Sequence, residues 1–239
     1  MGELTLVTFN THYGLRPPRE RAEPYDLAGV LRDLGGDVLV IQEAWRPDSV
    51  RGLVDEFAAG HGYTVFYVPT GRASCRGRWP HHHPDGEGTV GTAVLTRLPG
   101  RLVGELQVGP TPGDPAPARA LPWVEVDAGG DPLRLVGVHL TSRLPHGPPL
   151  QLRRLAGLVV ESECPTVIAG DCNFWGPGVV TLLGGRWQRV VRGRTWPARR
   201  PHSQIDHVLV RPGRVAAHDA EIVGDVGSDH RPVRVRLTW

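Results

Sequence analysis

The chain is predicted to be an α/β protein of the α+β kind, with mixed β-sheets and helices on their outer faces. Three observations carry this. Several strand-like runs are mostly apolar rather than strictly alternating, as strands covered on both faces require: LTLVTF, VLVI, LRLVGV and TVIA. Three other segments place apolar residues three and four apart, the spacing of a helix packed on a sheet. The segments run β-α-β-α-β, then a strand-rich middle, then β-α-β and several short strands, an order that layers helices outside sheets.

Residues 3–9 open the chain as a strand. Leu27, Val30, Leu31 and Leu34 mark the first helix, and residues 37–42 the next strand. Val50, Leu53, Val54 and Phe57 mark a second helix, with Asp48 or Ser49 placed to cap its start. Strand-like runs follow at 63–68, 92–97, 101–108, 122–128 and 133–139. Leu152, Leu155, Leu158 and Val159 form the third helical stripe. Strand patterns resume at 165–170, 186–191, 205–211, 214–224 and 231–237. The Pro-rich stretch 109–122 is the nearest thing to a linker, but strands on both sides of it are needed for one core. One domain spanning residues 1–239 is expected.

Composition narrows the function. Hydrophobic residues at 40% support a sizeable core, and a net charge of +2 gives no strong overall field for nucleic acid. The basic residues are all arginine, a bias that genomic base composition explains, although local arginine clusters can still bind phosphate through bidentate contacts. Cys75, Cys164 and Cys172 cannot all pair within the chain and fit no CxxC pattern, which points to reduced thiols. The strand pattern begins at Glu3, leaving no room for a signal peptide, and no apolar run approaches membrane-spanning length. Position 6 is not the Ser or Thr of a myristoylation signal. A cytoplasmic monomer is expected.

The chemistry is written at the strand ends. LTLVTFN ends in Asn10, DVLVIQE in Glu43 and LRLVGVH in His139. TVIAGDCNFW carries Asp171 and Asn173, SQIDHVLV carries Asp206, and GSDHRPV carries Asp229 and His230. Singly, each has a bland reading: a solvated carboxylate, a satisfied core histidine, a turn. Together, polar side chains converging on one rim make an active site. Glu43, Asn10 and Asp229 offer oxygen ligands for Mg²⁺ or Mn²⁺. In GDxN, Gly170 permits a tight turn, Asp171 can orient or deprotonate a water, and Asn173 can donate to a phosphate oxygen. Asp206 is assigned to orient His230, fixing its tautomer and favouring its protonated form.

Three loops can shape the site. Residues 69–89 carry Arg72, Arg76, Arg78, Trp79 and His81–His83; residues 142–149 follow His139; residues 192–204 carry Trp196, Arg199 and Arg200. Of these, Arg72, Trp79 and Trp196, with His12, are the candidate substrate contacts. The histidine tract has no partner at zinc spacing, and HExxH, Walker A and GxSxG are all absent.

The set FNTHYG, IQEAW, GTAVLTRLP, VGVHLTS, AGDCNFW, SQIDHVLV and GSDHRPV, in this order and over nearly the whole chain, resembles the endonuclease/exonuclease/phosphatase superfamily of metal-dependent phosphoesterases. The resemblance implies a four-layer sandwich of two packed mixed β-sheets flanked by helices. It implies that Glu43 is the main metal ligand with Asn10 in support and Asp229 on the metal side. His139 would stabilise the phosphate, Asp171 handle the water, Asn173 bind phosphate, and Asp206 and His230 form the orienting pair. Two departures, His12 where abasic-site nucleases of the family carry an acid and His207 where many relatives have Tyr, turn the reading away from DNA repair. NTHYG and TWPARRP look more like a small bacterial branch. The expected substrate is a phosphoester, either nucleic acid or a small molecule or lipid headgroup. A non-catalytic phosphate- or partner-binding module is the alternative of a different class.

Overall fold

Side-chain alternation along the central strands decides the layering. The computed structural model describes residues 1–17, 23–73, 86–114, 116, 119–159 and 163–239. Strand β1 (Glu3–Asn10) turns Leu4 and Leu6 into one buried cluster and Val7 and Phe9 into another. Strand β7 (Pro132–His139) does the same with Leu133 and Leu135 against Val136 and Val138. The cluster shared by both strands lies between two sheets, and the other two lie under helices. Apolar residues on both strand faces therefore make a helix–sheet–sheet–helix stack.

The remaining elements are α1 (Leu27–Leu34), β2 (Val38–Pro47), α2 (Leu53–Gly60), β3 (Thr64–Ala73), β4 (Gly88–Thr96), β5 (Gly100–Gln107) and β6 (Ala120–Asp127). After β7 come α3 (Gly147–Leu158), β8 (Thr166–Asp171), α4 (Gly176–Leu182), β9 (Gln188–Arg189), β10 (Asp206–Val210), β11 (Ala216–Ile222) and β12 (Val233–Thr238). Among the described residues they form two six-stranded mixed sheets, ordered β11-β12-β1-β2-β4-β3 and β5-β6-β7-β8-β10-β9. Each sheet has one parallel pair at its centre, β1–β2 and β7–β8, and every other pairing is antiparallel. Strands β1 and β2 lie over β7, β8 and β10, and Asn10 at the end of β1 reaches Asp171 at the end of β8, so the carboxyl ends of both parallel pairs open on the same edge of the sandwich. Binding crevices form outside such ends.

Local differences from the sequence reading have physical causes. Helix α2 starts at Leu53 with Gly52 as its cap, not Asp48 or Ser49, and Val50 is 62% exposed. Strand β2 runs on through Pro47, and the Asp48 carboxylate is taken by Arg72. Gly52 sits so close to β2 that a Cβ there would lie 2.5 Å from the Trp45 carbonyl. Helix α4 is absent from the sequence reading because GPGVVTL joins glycine and β-branched residues, all weak helix formers; Pro177 in its first turn starts it. Strand β9 holds only two residues of the expected run 186–191. No helix among the described residues is long and apolar enough to cross a membrane.

Candidate active site

Gly170 sets the position of the central carboxylate. It lies inside β8 at φ 145°, and a Cβ there would sit 1.9 Å from the Val138 carbonyl of β7. Glycine thus serves close approach of two strands, where the sequence reading expects a turn. Asp171 follows at the end of β8, opposite His139 on β7 and Asp206 on β10. Register alone brings three of the candidate residues side by side.

Asp171 is 1% exposed, and its Oδ2 is the hub of the site. That oxygen accepts from Asn10 Nδ2 at 3.1 Å and from Asn173 Nδ2 at 3.3 Å. His230 Nε2 lies 3.8 Å from it and His139 Nε2 4.0 Å. Oδ1 accepts the Asn173 backbone N–H at 2.8 Å, an Asx turn that Asn173 completes at φ 46°. Both donors of the Asn173 amide are engaged, since Nδ2 also reaches the Leu140 carbonyl at 2.9 Å. The amide expected to hold phosphate here holds Asp171 and the β7 exit.

The His230–Asp206 pair is closed on itself. His230 Nδ1 lies 2.9 Å from Asp206 Oδ2 and 3.0 Å from Oδ1, which fixes Nδ1–H as donor and leaves Nε2 facing Asp171. Burial by itself lowers the His230 pKa, but the carboxylates of Asp206 and Asp171 outweigh it and raise the imidazole to about 10. Burial raises the Asp171 carboxyl, with Asp206 adding to the effect, while His230, Asn173 and Asn10 pull it back. The site therefore keeps an imidazolium next to a carboxylate of raised proton affinity.

Glu43 sits across the cleft, its Oε1 3.9 Å from His139 Nε2. Its backbone is left-handed, φ 52°, at an irregularity in the β2–β4 register that turns the side chain off the strand line. Asp229 faces the same space, with Trp196 Nε1 3.5 Å from Oδ2. Ser228 fixes the approach to β12 against the end of β1: its hydroxyl donates to the Asn10 carbonyl at 2.7 Å and accepts the His230 N–H at 3.2 Å.

The structure thus brings Glu43, His139, Asp171, Asn173, Asp229, His230 and Trp196 onto one cleft of about 380 Å³, with Asn10 and Asp206 directly behind. It does not bring the other expected contacts there. Arg72 is paired with Asp48 and approaches Glu87 at 3.9 Å, away from the cleft. His12 is buried, with Nδ1 on the Leu15 carbonyl at 2.8 Å, because the chain makes a 3-10 turn at His12–Gly14. His207 is also buried, with Nε2 on the Phe174 carbonyl at 3.0 Å, and burial lowers it to about 4. Trp79, Cys75, Arg76, Arg78 and the His81–His83 tract lie outside the described residues. Cys164 and Cys172 are unbridged.

Several residues went unassigned in the sequence reading. Thr195 is fully buried and its hydroxyl accepts the N–H groups of Ile205 and Asp206 at 3.2 and 3.3 Å, anchoring the start of β10. Tyr25 donates to the Thr11 carbonyl at 2.8 Å. Burial first, then the nearby negative charges of Asp229 and Glu43, raise its hydroxyl well above the ordinary value. Trp175, His202 and Ser203 line the cleft rim. Only the placement of Ser228 and Trp175 beside motif residues could have singled them out.

For a cation, the donors are hard. Asp171, Asp206 and His230 offer ligand atoms all within 4.8 Å of one another and could hold a metal ion. Asp206 and His230 already satisfy each other, however, whereas Glu43 and Asp229 present carboxylates across the same cleft. Oxygen-rich donors of this kind suit Mg²⁺ or Mn²⁺.

Comparison with known proteins agrees with this geometry. A search of curated proteins finds no match. Among solved structures, an endonuclease/exonuclease/phosphatase from Beutenbergia cavernae DSM 12333 is similar with a TM-score of 0.74 and 23% identity, covering 99% of this chain and 72% of that one. A family protein from Leptotrichia buccalis C-1013-b gives 0.72 at 14% identity, covering 99% and 100%. A mannosyl-6-phosphatase from Bacteroides thetaiotaomicron VPI-5482 gives 0.67 at 16% identity, covering 99% and 100%. At these identities the likeness is one of fold. The sequence itself matches the family description over residues 7–230, and family members are metal-dependent phosphoesterases. With its two-sheet sandwich and buried Asp/Asp/His cluster, the chain belongs to the endonuclease/exonuclease/phosphatase family.

Proposed function

We propose that this protein is a divalent-metal-dependent hydrolase of phosphoester bonds that directs a water at phosphorus. The carrying observation is the convergence on Asp171 Oδ2 of two amides and two imidazoles at the floor of one cleft. Burial raises the proton affinity of Asp171, which suits a group that takes a proton from water. His230, held cationic by Asp206, and His139 point Nε2 atoms into the same space, where they offset charge developing on phosphoryl oxygens. The 3.3 Å contact from Asn173 Nδ2 to Asp171 is the weaker of its two and is the one a phosphate oxygen would take over.

Glu43 and Asp229 would hold the cation. Asn10 supports that side by fixing Asp171, and its own Oδ1 accepts the His12 N–H at 3.1 Å. A bound Mg²⁺ or Mn²⁺ supplies positive charge to the phosphate and the leaving oxygen.

The cleft lining favours a small phosphoester over a nucleic acid. Among the described residues it includes Trp175, Trp196, Leu144, His202 and Ser203 but no arginine, and the chain has no lysine. Arg199 and Arg200 are exposed in the neighbouring loop. Sugar-phosphate monoesters are natural first candidates, given the likeness to a mannosyl-6-phosphatase. The test is a panel of bis-p-nitrophenyl phosphate, p-nitrophenyl phosphate, a hexose 6-phosphate and plasmid DNA, each with Mg²⁺, Mn²⁺ or EDTA. Metal-dependent release from a small ester with little plasmid nicking is expected. Turnover indifferent to EDTA, or none on any substrate, overturns the proposal.

A further inference from the structure

We infer that Arg119, Asp114 and Gln151 form a buried clamp that sets the position of His139, making them positioning residues for the reaction proposed above. None of the three lines the cleft. The Arg119 guanidinium spends Nε and Nη2 on Asp114, both at 2.9 Å, and turns Nη1 onto the backbone carbonyl of His139 at 3.0 Å. Gln151, in α3 and fully buried, donates Nε2 to Asp114 Oδ2 at 3.1 Å and accepts the Thr141 N–H at 2.8 Å. From the other side Asp171 accepts the Leu140 N–H at 3.0 Å through its backbone carbonyl, and Asn173 holds the Leu140 carbonyl at 2.9 Å. Successive backbone groups of residues 139–141 are thus pinned in opposite directions just as the chain leaves β7.

Stability alone is a poor reason for this network. The Arg119 and Asp114 side chains are 7% and 0% exposed, and dehydrating an ion pair so deeply costs about as much as the pair returns. Apolar residues of the same size would pack there at least as well. What they could not do is hold a carbonyl and an N–H two residues apart at fixed points. His139 Nε2 lies 3.9 Å from Glu43 and 4.0 Å from Asp171, so a shift of the β7 exit moves it directly against the reacting centre. Misplacement by an ångström can cost about 100-fold in rate.

The test uses the whole protein carrying Arg119→Lys, which keeps charge but loses the fork, and Gln151→Met, which keeps volume but loses both hydrogen bonds. Leu155→Ala, in the same helix and packed in the outer core, is the control for destabilisation alone. Each is assayed below its own melting midpoint on bis-p-nitrophenyl phosphate with Mg²⁺, and amide exchange at Leu140 and Thr141 is followed by NMR. Both clamp variants should lose about 10–100-fold in kcat with KM within about twofold. They should also exchange Leu140 and Thr141 faster, while Leu155→Ala keeps wild-type kcat. Wild-type kcat in both clamp variants, or an equal loss in Leu155→Ala, overturns the clamp. Should the wild-type protein hydrolyse nothing, the functional proposal fails by itself. The clamp is then decided by exchange, with faster exchange upholding it and unchanged exchange overturning it.

Discussion

His230 Nδ1 lies 2.9 Å from Asp206 Oδ2 while its Nε2 faces Asp171 at 3.8 Å, so one imidazole links two carboxylates that both sit at the rim of the same sheet. Asp206 therefore fixes which nitrogen faces the cleft and keeps the ring cationic. Asp206→Asn preserves shape but removes both effects. It should lower kcat by about 10²–10⁴ with the fold intact, checked by steady-state kinetics beside circular dichroism.

The same pair should appear in the pH dependence of the metal-free protein. His230 is raised from 6.5 to about 10, so its share of stability is complete below the ordinary histidine pKa and disappears as pH climbs through about 10. The stability gap between wild type and His230→Asn, measured by urea unfolding in EDTA, should be largest below the ordinary histidine value of 6.5 and shrink steadily as pH climbs towards about 10. A gap constant over that range would show that no such proton is held.

Gly170→Ala should be severely destabilising. The new methyl meets the Val138 carbonyl at 1.9 Å, and φ of 145° suits glycine alone. A loss of about 3 kcal/mol or more in urea unfolding is expected, from backbone strain plus the forced separation of β7 and β8.

Much of this could be read from the chain itself, and the divide has a physical basis. Central strands β1, β2, β7 and β8 are covered on both faces, so each shows as a mostly apolar stretch that gives way to Asn10, Glu43, His139 or Asp171. Such endings are local and visible. Pairings between distant segments are not: Ser228 with Asn10, Thr195 with β10, and Arg119 with His139 depend on which strands become neighbours in a sheet and how the connections fold back on them. Nor do charge and imidazole alone reveal the partners that Arg72 and His12 have within the fold, Asp48 in one case and the Leu15 carbonyl in the other.

Trp175, 49% exposed at the cleft rim with Nε1 on Ser203 Oγ at 3.3 Å, offers a flat face to the leaving group of a small ester. Trp175→Ala should raise KM for p-nitrophenyl esters about 3–10-fold with kcat little changed. Hydrolysis should respond weakly to added salt, because few phosphates would be neutralised by arginine. A steep salt slope would instead favour a nucleic-acid substrate.

The hub carboxylate offers the most direct trial of the whole scheme. Asp171→Asn keeps the volume at the cleft floor but turns one of two acceptor oxygens into a donor and cannot take a proton from water. Assayed on bis-p-nitrophenyl phosphate with Mg²⁺, it should lose at least about 10²–10³ in kcat while melting as a folded protein. Turnover close to wild type in that folded variant would contradict the assignment of Asp171 as the group that activates water.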